Sequence, residues 1–220
     1  MVVFLALAAY GPARAEVLTA DTVWQGQVHL TDDLLVPTGI TLTVQPGTVI
    51  TVSPAESTKI DPEFLSHQTE ILVRGTLKVL GRPETPALFT AEKSNDDDSR
   101  WAGIIVDGGG TADLQSARIS GAETGLYLFS GRATLTAVTL EENHYGAIAH
   151  GSGAQLTLKD SAVRQNDFGL YTFNDAKVQE EGGRPRQPQK RPFHRPGKKG
   201  PPYPPGTDPA GHRDHLVLYQ

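Results

Sequence analysis

The chain has 220 residues, enough for one or two domains, and no cysteine, which excludes disulfides, thiol chemistry and cysteine-bound zinc. Its net charge of −5 is unevenly spread: ten basic residues stand against 21 acidic ones over positions 16–175, and nine against four over 176–220. An acidic body argues against nucleic acid as its partner, because phosphate binding needs a basic face, and 7% aromatics with 23 glycines suit a thin, repetitive core.

From the start, Val2 to Ala9 is an apolar run followed by Gly11-Pro12-Ala13-Arg14-Ala15. A short apolar segment, a turn and a small-x-small pair read as a secretory signal over 1–15 that is cleaved before Glu16. The run is shorter than the roughly 20 residues a bilayer span needs, so no transmembrane segment is expected. Only Met1 precedes it, so the basic flank of a signal is missing; a buried N-terminal strand or helix is the other reading.

Leu34-Leu35-Val36, Ile40 to Val44 and Val49 to Val52 follow as short strands, separated by Pro37-Thr38-Gly39 and Gln45-Pro46-Gly47. Strands this short, joined by such tight corners, suit a coil that turns three times per circuit. Residues 53–70 are polar and irregular, an inserted loop. Ile71-Leu72-Val73, Thr76 to Val79 and Ala87 to Thr90 make the next circuit. A second excursion from Glu92 to Arg100 contains Asp96, Asp97 and Asp98, whose oxygens are candidate calcium ligands without the spacing of a defined calcium loop. Trp101 to Val106 re-enters the coil.

From Ala112 one pattern is written three times and begun a fourth, its opening alanines at 112, 133, 154 and 176. Each copy ends on an aliphatic, three residues to Ala or Asn, and three more to Gly: Ile119-Ala122-Gly125, Leu140-Asn143-Gly146 and Val163-Asn166-Gly169. A fixed period near 21 residues means a solenoid whose repeats bury apolar faces only against their neighbours. Leu114, Leu135 and Leu156 are expected in one inward stack, and Ile119, Leu140 and Val163 in another. The two extra residues of the third copy then fall between Leu156 and Val163. The glycines are expected at a turn where positive φ or close backbone approach excludes a Cβ. Asn143 and Asn166 are expected to form a structural amide ladder that stops at Ala122 and finds a further partner near Gln179.

Trp24-Gln25-Gly26, Thr41 to Thr48, Trp101-Ala102-Gly103-Ile104 and the Asn-x-x-Gly repeats at 143–146 and 166–169 resemble bacterial right-handed parallel β-helix repeat proteins of the pectate-lyase-like β-solenoid family. The resemblance covers roughly 23–178 and implies an all-β, right-handed parallel β-helix of about six coils over 16–178. It does not imply an activity, since the fold carries lyases, hydrolases, epimerases and adhesins. Positions 179–220 read as a disordered, Pro-rich basic tail, with nine of the 16 prolines at 176–220. Such a tail is an anchor for anionic polymers, a solvated end, or a replacement for lost coils through an altered reading frame.

The chemistry is less legible. Asp113, Glu123, Glu141, Glu142, Asp160, Asp167 and Asp175 are not expected to recur at one position of the coil, and no catalytic residue is identified. Signatures of polygalacturonases and pectate lyases are absent, no Ser sits in a Gly-x-Ser-x-Gly elbow, and His29, His67, His144 and His150 lack a zinc spacing. Rings follow or precede each repeat glycine: Tyr127, Phe129, Tyr145, Phe168, Tyr171 and Phe173, with Ile148 and His150 in the matching places. They are candidates for stacking on sugars, although strand alternation is expected to turn one set inward. The expectation is an exported, non-catalytic surface or envelope protein that grips polysaccharide or an envelope polymer without a cofactor. The alternative is a lyase or glycoside hydrolase acting on acidic polysaccharide.

Overall fold

The computed structural model describes residues 16–54, 64–93 and 100–182. The expected signal at 1–15, the calcium candidates Asp96, Asp97 and Asp98, and the tail from 183 onward lie outside these residues.

Twenty strands wind through six full circuits and part of a seventh. The first two circuits hold β1 (Glu16–Val17), β2 (Thr22–Trp24), β3 (Gln27–Leu30), β4 (Leu34–Val36), β5 (Thr41–Val44) and β6 (Val49–Val52). The next two hold β7 (Glu70–Val73), β8 (Thr76–Leu80), β9 (Ala87–Ala91), β10 (Gly103–Val106), β11 (Gly110–Gln115) and β12 (Ala117–Ile119). The remainder are β13 (Thr124–Leu128), β14 (Gly131–Thr136), β15 (Thr139–Glu141), β16 (Tyr145–His150), β17 (Ala154–Lys159), β18 (Ala162–Arg164), β19 (Phe168–Phe173) and β20 (Lys177–Glu181). The last strand thus reaches Glu181, three residues past the end expected from the sequence.

Each strand pairs in parallel with its equivalents one circuit away, giving a first sheet β1-β4-β7-β10-β13-β16-β19, a second β2-β5-β8-β11-β14-β17-β20 and a third β3-β6-β9-β12-β15-β18. The molecule is a parallel β-helix. Inward side chains stack directly over one another: Leu34, Ile71, Ile104, Leu126, Ala147 and Leu170 from the first sheet, and Ile50, Phe89, Ile119, Leu140 and Val163 from the third. Most of these are fully buried, the Leu, Ile and Phe side chains each contributing about 1.5–3 kcal/mol.

In the second sheet the register departs from expectation. Leu135 pairs with Leu158, and Leu156 pairs with Ala133, so the stack is Leu114-Leu135-Leu158. The two extra residues of the third copy sit earlier, in the His150–Gly153 corner before β17, where Gly151 has φ +87°. A shift of two keeps every side chain on its own face, whereas a shift of one would have turned the core outward. Either alignment therefore satisfies the hydrophobic pattern.

The repeat glycines lie in strands rather than at a turn, and close approach rather than positive φ excludes a Cβ at Gly125 and Gly146. Gly125 and Gly146 lie inside β13 and β16, and a Cβ on Gly146 would meet Val163 Cγ1 at 2.3 Å and Asn166 Nδ2 at 2.8 Å. At Gly125 a Cβ would meet the Gly146 carbonyl oxygen at 2.8 Å and Asn143 Nδ2 at 2.9 Å, so the backbone and the Asn side chains of the next coil both exclude it. The left-handed turn residues form their own columns instead: Gly121, Glu142 and Gln165, with φ of +69°, +58° and +54°, and Ser116, Ala137, Asp160 and Gly182, with φ of +43°, +54°, +47° and +61°.

The first excursion is not merely polar. Phe64 is buried against Leu35, Leu72 and Ile105 on the outer face of the first sheet. The loop is tied down where the Leu65 and Ser66 N–H groups donate to the fully buried Glu70 carboxylate, at 2.8 and 2.6 Å.

Candidate functional site

The outer face of the first sheet carries an apolar column, Val17-Leu35-Leu72-Ile105-Tyr127-Ile148-Tyr171, read directly from the strand register. Phe64 covers its middle. Beyond Tyr127 the column is open, and there the rings gather.

All six sequence-predicted rings meet on this face. Tyr127 touches Phe129 (5.3 Å between centroids), Phe129 touches His150 (5.0 Å), His150 touches Phe173 (6.0 Å), and Phe173 lies beside Tyr171 (6.1 Å). Tyr171 meets Tyr145 and Phe168, which stack on each other at 4.9 Å and 18°. No set turns inward. Tyr127 and Phe129, like Tyr171 and Phe173, are two apart and share a face by strand alternation. Tyr145 and Phe168 open β16 and β19, at the edge of this surface, and each makes an edge contact with Tyr171.

The Tyr145–Phe168 stack repeats the coil spacing of about 4.8 Å, so each ring covers one face of the other. Phe129 and Phe173, at 42% and 40% exposure, are the most open of the six. Both lean on His150, with interplanar angles of 57° and 67°. The Asn174 side-chain amide nitrogen lies 2.8 Å from His150 Nε2, and His150 Nδ1 lies 3.5 Å from the Tyr127 hydroxyl. Burial pushes the Tyr127, Tyr145 and Tyr171 phenols up, Tyr145 with added repulsion from Glu123 and Tyr171, so all three remain neutral hydrogen-bond donors in ordinary buffers.

A charged corner flanks the rings. His144 Nδ1 lies 2.8 Å from Asp167 Oδ2, Arg100 Nη2 is 3.6 Å from the same oxygen, and His144 Nε2 is 3.9 Å from Glu123 Oε1. The His144 ring makes edge contacts with Tyr145 (4.5 Å) and Phe168 (5.1 Å), so corner and rings form one surface. Sequence reasoning missed this group. Counted back from the repeat glycines, Glu123, His144 and Asp167 each stand two residues before Gly125, Gly146 and Gly169. Two acids do recur at one position of the coil, and aligning the copies on their glycines would have found them. Arg100 arrives from the second excursion, where no repeat signal exists.

The Asn ladder is present and is structural. Asn143 is 1% exposed; its Oδ1 accepts from the Ala122 N–H (3.0 Å), and its Nδ2 donates to the Ile119 carbonyl (3.1 Å) and to Asn166 Oδ1 (3.1 Å). Asn166 Nδ2 donates to the Leu140 and Arg164 carbonyls at 2.9 and 3.0 Å. Gln179 pairs with Thr157 in the second sheet and does not extend the ladder.

Two other charged groups lie elsewhere. Glu141, the buried last residue of β15, sits between Arg118 Nε and Arg164 Nη2, each at 2.8 Å, an ion bridge along the outer face of the third sheet. At an exposed corner the Ser53 hydroxyl donates to Glu92 at 2.5 Å, and His29 Nε2 faces both, at 3.1 Å from Ser53 and 3.3 Å from Glu92. His29 and Glu92 reach the same hydroxyl rather than forming a chain, so they do not make the relay that activates a serine. Among the described residues no group of three or more His, Asp or Glu side chains is placed to hold a metal ion, and no helix is long and apolar enough to cross a membrane. Against family models, curated proteins and solved structures, the chain finds no match.

Proposed function

We propose that this protein is an exported, non-catalytic β-helix, of the bacterial parallel β-helix repeat kind, that displays its ring-bearing face to polysaccharide outside the cytoplasm. The observation that carries the reading is the continuous network of six Tyr and Phe rings with His144 and His150 on one flat, partly open sheet face. Rings that combine an apolar body with polar tips suit ligands that are apolar on one side and hydroxylated on the other. Rigid strands hold them, so little ordering entropy is lost on binding. Export rests on the short apolar run and the Ala13-Arg14-Ala15 pattern, after which Glu16 opens β1.

A second reading has its own support. Two carboxylates, a histidine and Arg100 converge at one corner beside the rings, the kind of set a lyase or glycoside hydrolase requires. A glycan array on the intact chain, run beside a uronate-cleavage assay, separates the two. Binding without turnover supports the first reading. Formation of an unsaturated product absorbing in the ultraviolet would establish the second. N-terminal sequencing of protein secreted from a bacterial host should give Glu16, and retention of Met1 in the cytosol would remove the export reading.

A further inference from the structure

We infer that the ligand of this face is an uncharged glycan, seated with its C–H side on the rings and its hydroxyl edge against the Glu123–His144–Asp167 corner; this rests on the glycan-binding reading above. The contact of His144 with both Tyr145 and Phe168 joins the corner to the ring surface, so a sugar lying on the rings brings its hydroxyls to the carboxylates. Ionised carboxylates accept from hydroxyls in short, strong hydrogen bonds, and Glu123 and Asp167 are both solvent-accessible, with side-chain exposures of 45% and 59%.

The sign of the charge selects the class of glycan. At the corner two carboxylates stand beside one arginine, and Arg100 is already drawn to Asp167. The body as a whole carries ten basic against 21 acidic residues over 16–175. A uronate or a sulfated sugar would meet two fixed negative charges and an unfavourable overall field. A neutral sugar meets the same carboxylates as acceptors for its hydroxyls, without charge repulsion. His150 borders the rings on the other side, its Nε2 2.8 Å from the Asn174 amide nitrogen.

The test uses the intact chain at low salt, titrated with neutral oligosaccharides and, separately, with oligouronates, by calorimetry. Neutral ligands are expected to bind and oligouronates to fail. Glu123→Gln and Asp167→Asn should each weaken the neutral ligand roughly tenfold, because a charge-assisted bond becomes an ordinary one. Phe129→Ala and Phe173→Ala, at exposed positions, should weaken it at unchanged melting temperature. Binding of oligouronates alone would overturn the inference and leave the glycan reading standing. Binding of neutral sugars unaffected by both carboxylate substitutions would also overturn it, since the corner would then make no contact. Binding of neither ligand would remove both readings.

Discussion

Asn166 Oδ1 accepts two hydrogen bonds from Asn143, one from its backbone N–H at 2.9 Å and one from its side-chain amide at 3.1 Å. The two residues are not equivalent. Asn143 is buried and also satisfies Ala122 N–H and the Ile119 carbonyl, whereas Asn166 is partly open to water. Asn143→Ala is therefore expected to be the costlier change, about 2–3 kcal/mol against about 1–2 kcal/mol for Asn166→Ala, at 1–3 kcal/mol per buried group left unsatisfied. The double substitution should cost less than the sum, because their mutual bonds are lost once. Urea unfolding of the three variants gives the order, and a larger loss for Asn166→Ala would reverse this account.

Gly103 and Gly39 both have positive φ, +118° and +85°, yet only one is crowded. A Cβ at Gly103 would lie 1.7 Å from the Thr124 carbonyl oxygen, while at Gly39 it would meet nothing within 4 Å. Gly39→Ala should cost about 1–2 kcal/mol for the left-handed conformation alone. Gly103→Ala must move the next coil's backbone and should cost more than about 4 kcal/mol. Equal melting shifts for the two would show that the coil yields freely at this point.

Phe64 shields the apolar outer column at Leu35, Leu72 and Ile105. Phe64→Ala should lose about 3 kcal/mol, the low end for a buried aromatic, and should raise the binding of a hydrophobic dye. A stability loss without added dye binding would mean that the loop closes over the gap.

Glu92 is held below its ordinary value of 4.5, first by the Ser53 hydroxyl and then by His29. A carboxylate lowered in the folded state contributes stability that is complete above the unfolded value and disappears as pH falls through the lowered one. The side chain is exposed to solvent, so the contribution is small. Acid unfolding of Glu92→Gln should show a flatter decline below pH 4.5 than the parent chain. An identical acid limb would show that the Ser53 contact does not persist in solution.

Much of the fold was legible because the corners are written in Gly and Pro and the strands in aliphatics. The bounds of β4 and β6, for example, coincide with the runs at Leu34 and Val49. The stack beginning at Leu114 was misread by two residues, because a strand cannot tell a shift of two from none by hydrophobicity. The corner of Glu123, His144 and Asp167 stayed hidden because its members differ in kind and share only their distance from a glycine. Phe64 was hidden by its polar surroundings, since no periodicity marks a single anchor in a loop.

The parallel ladders have a mechanical meaning. Inter-strand hydrogen bonds lie roughly along the axis of the helix, and neighbouring coils are joined by three ladders at once, as at β10–β13, β11–β14 and β12–β15. An axial pull loads all three together, so no bond yields before its neighbours share the force. A sideways pull at one edge meets a single ladder and can open it bond by bond. The molecule is a stiff strut along its length and a zipper across it.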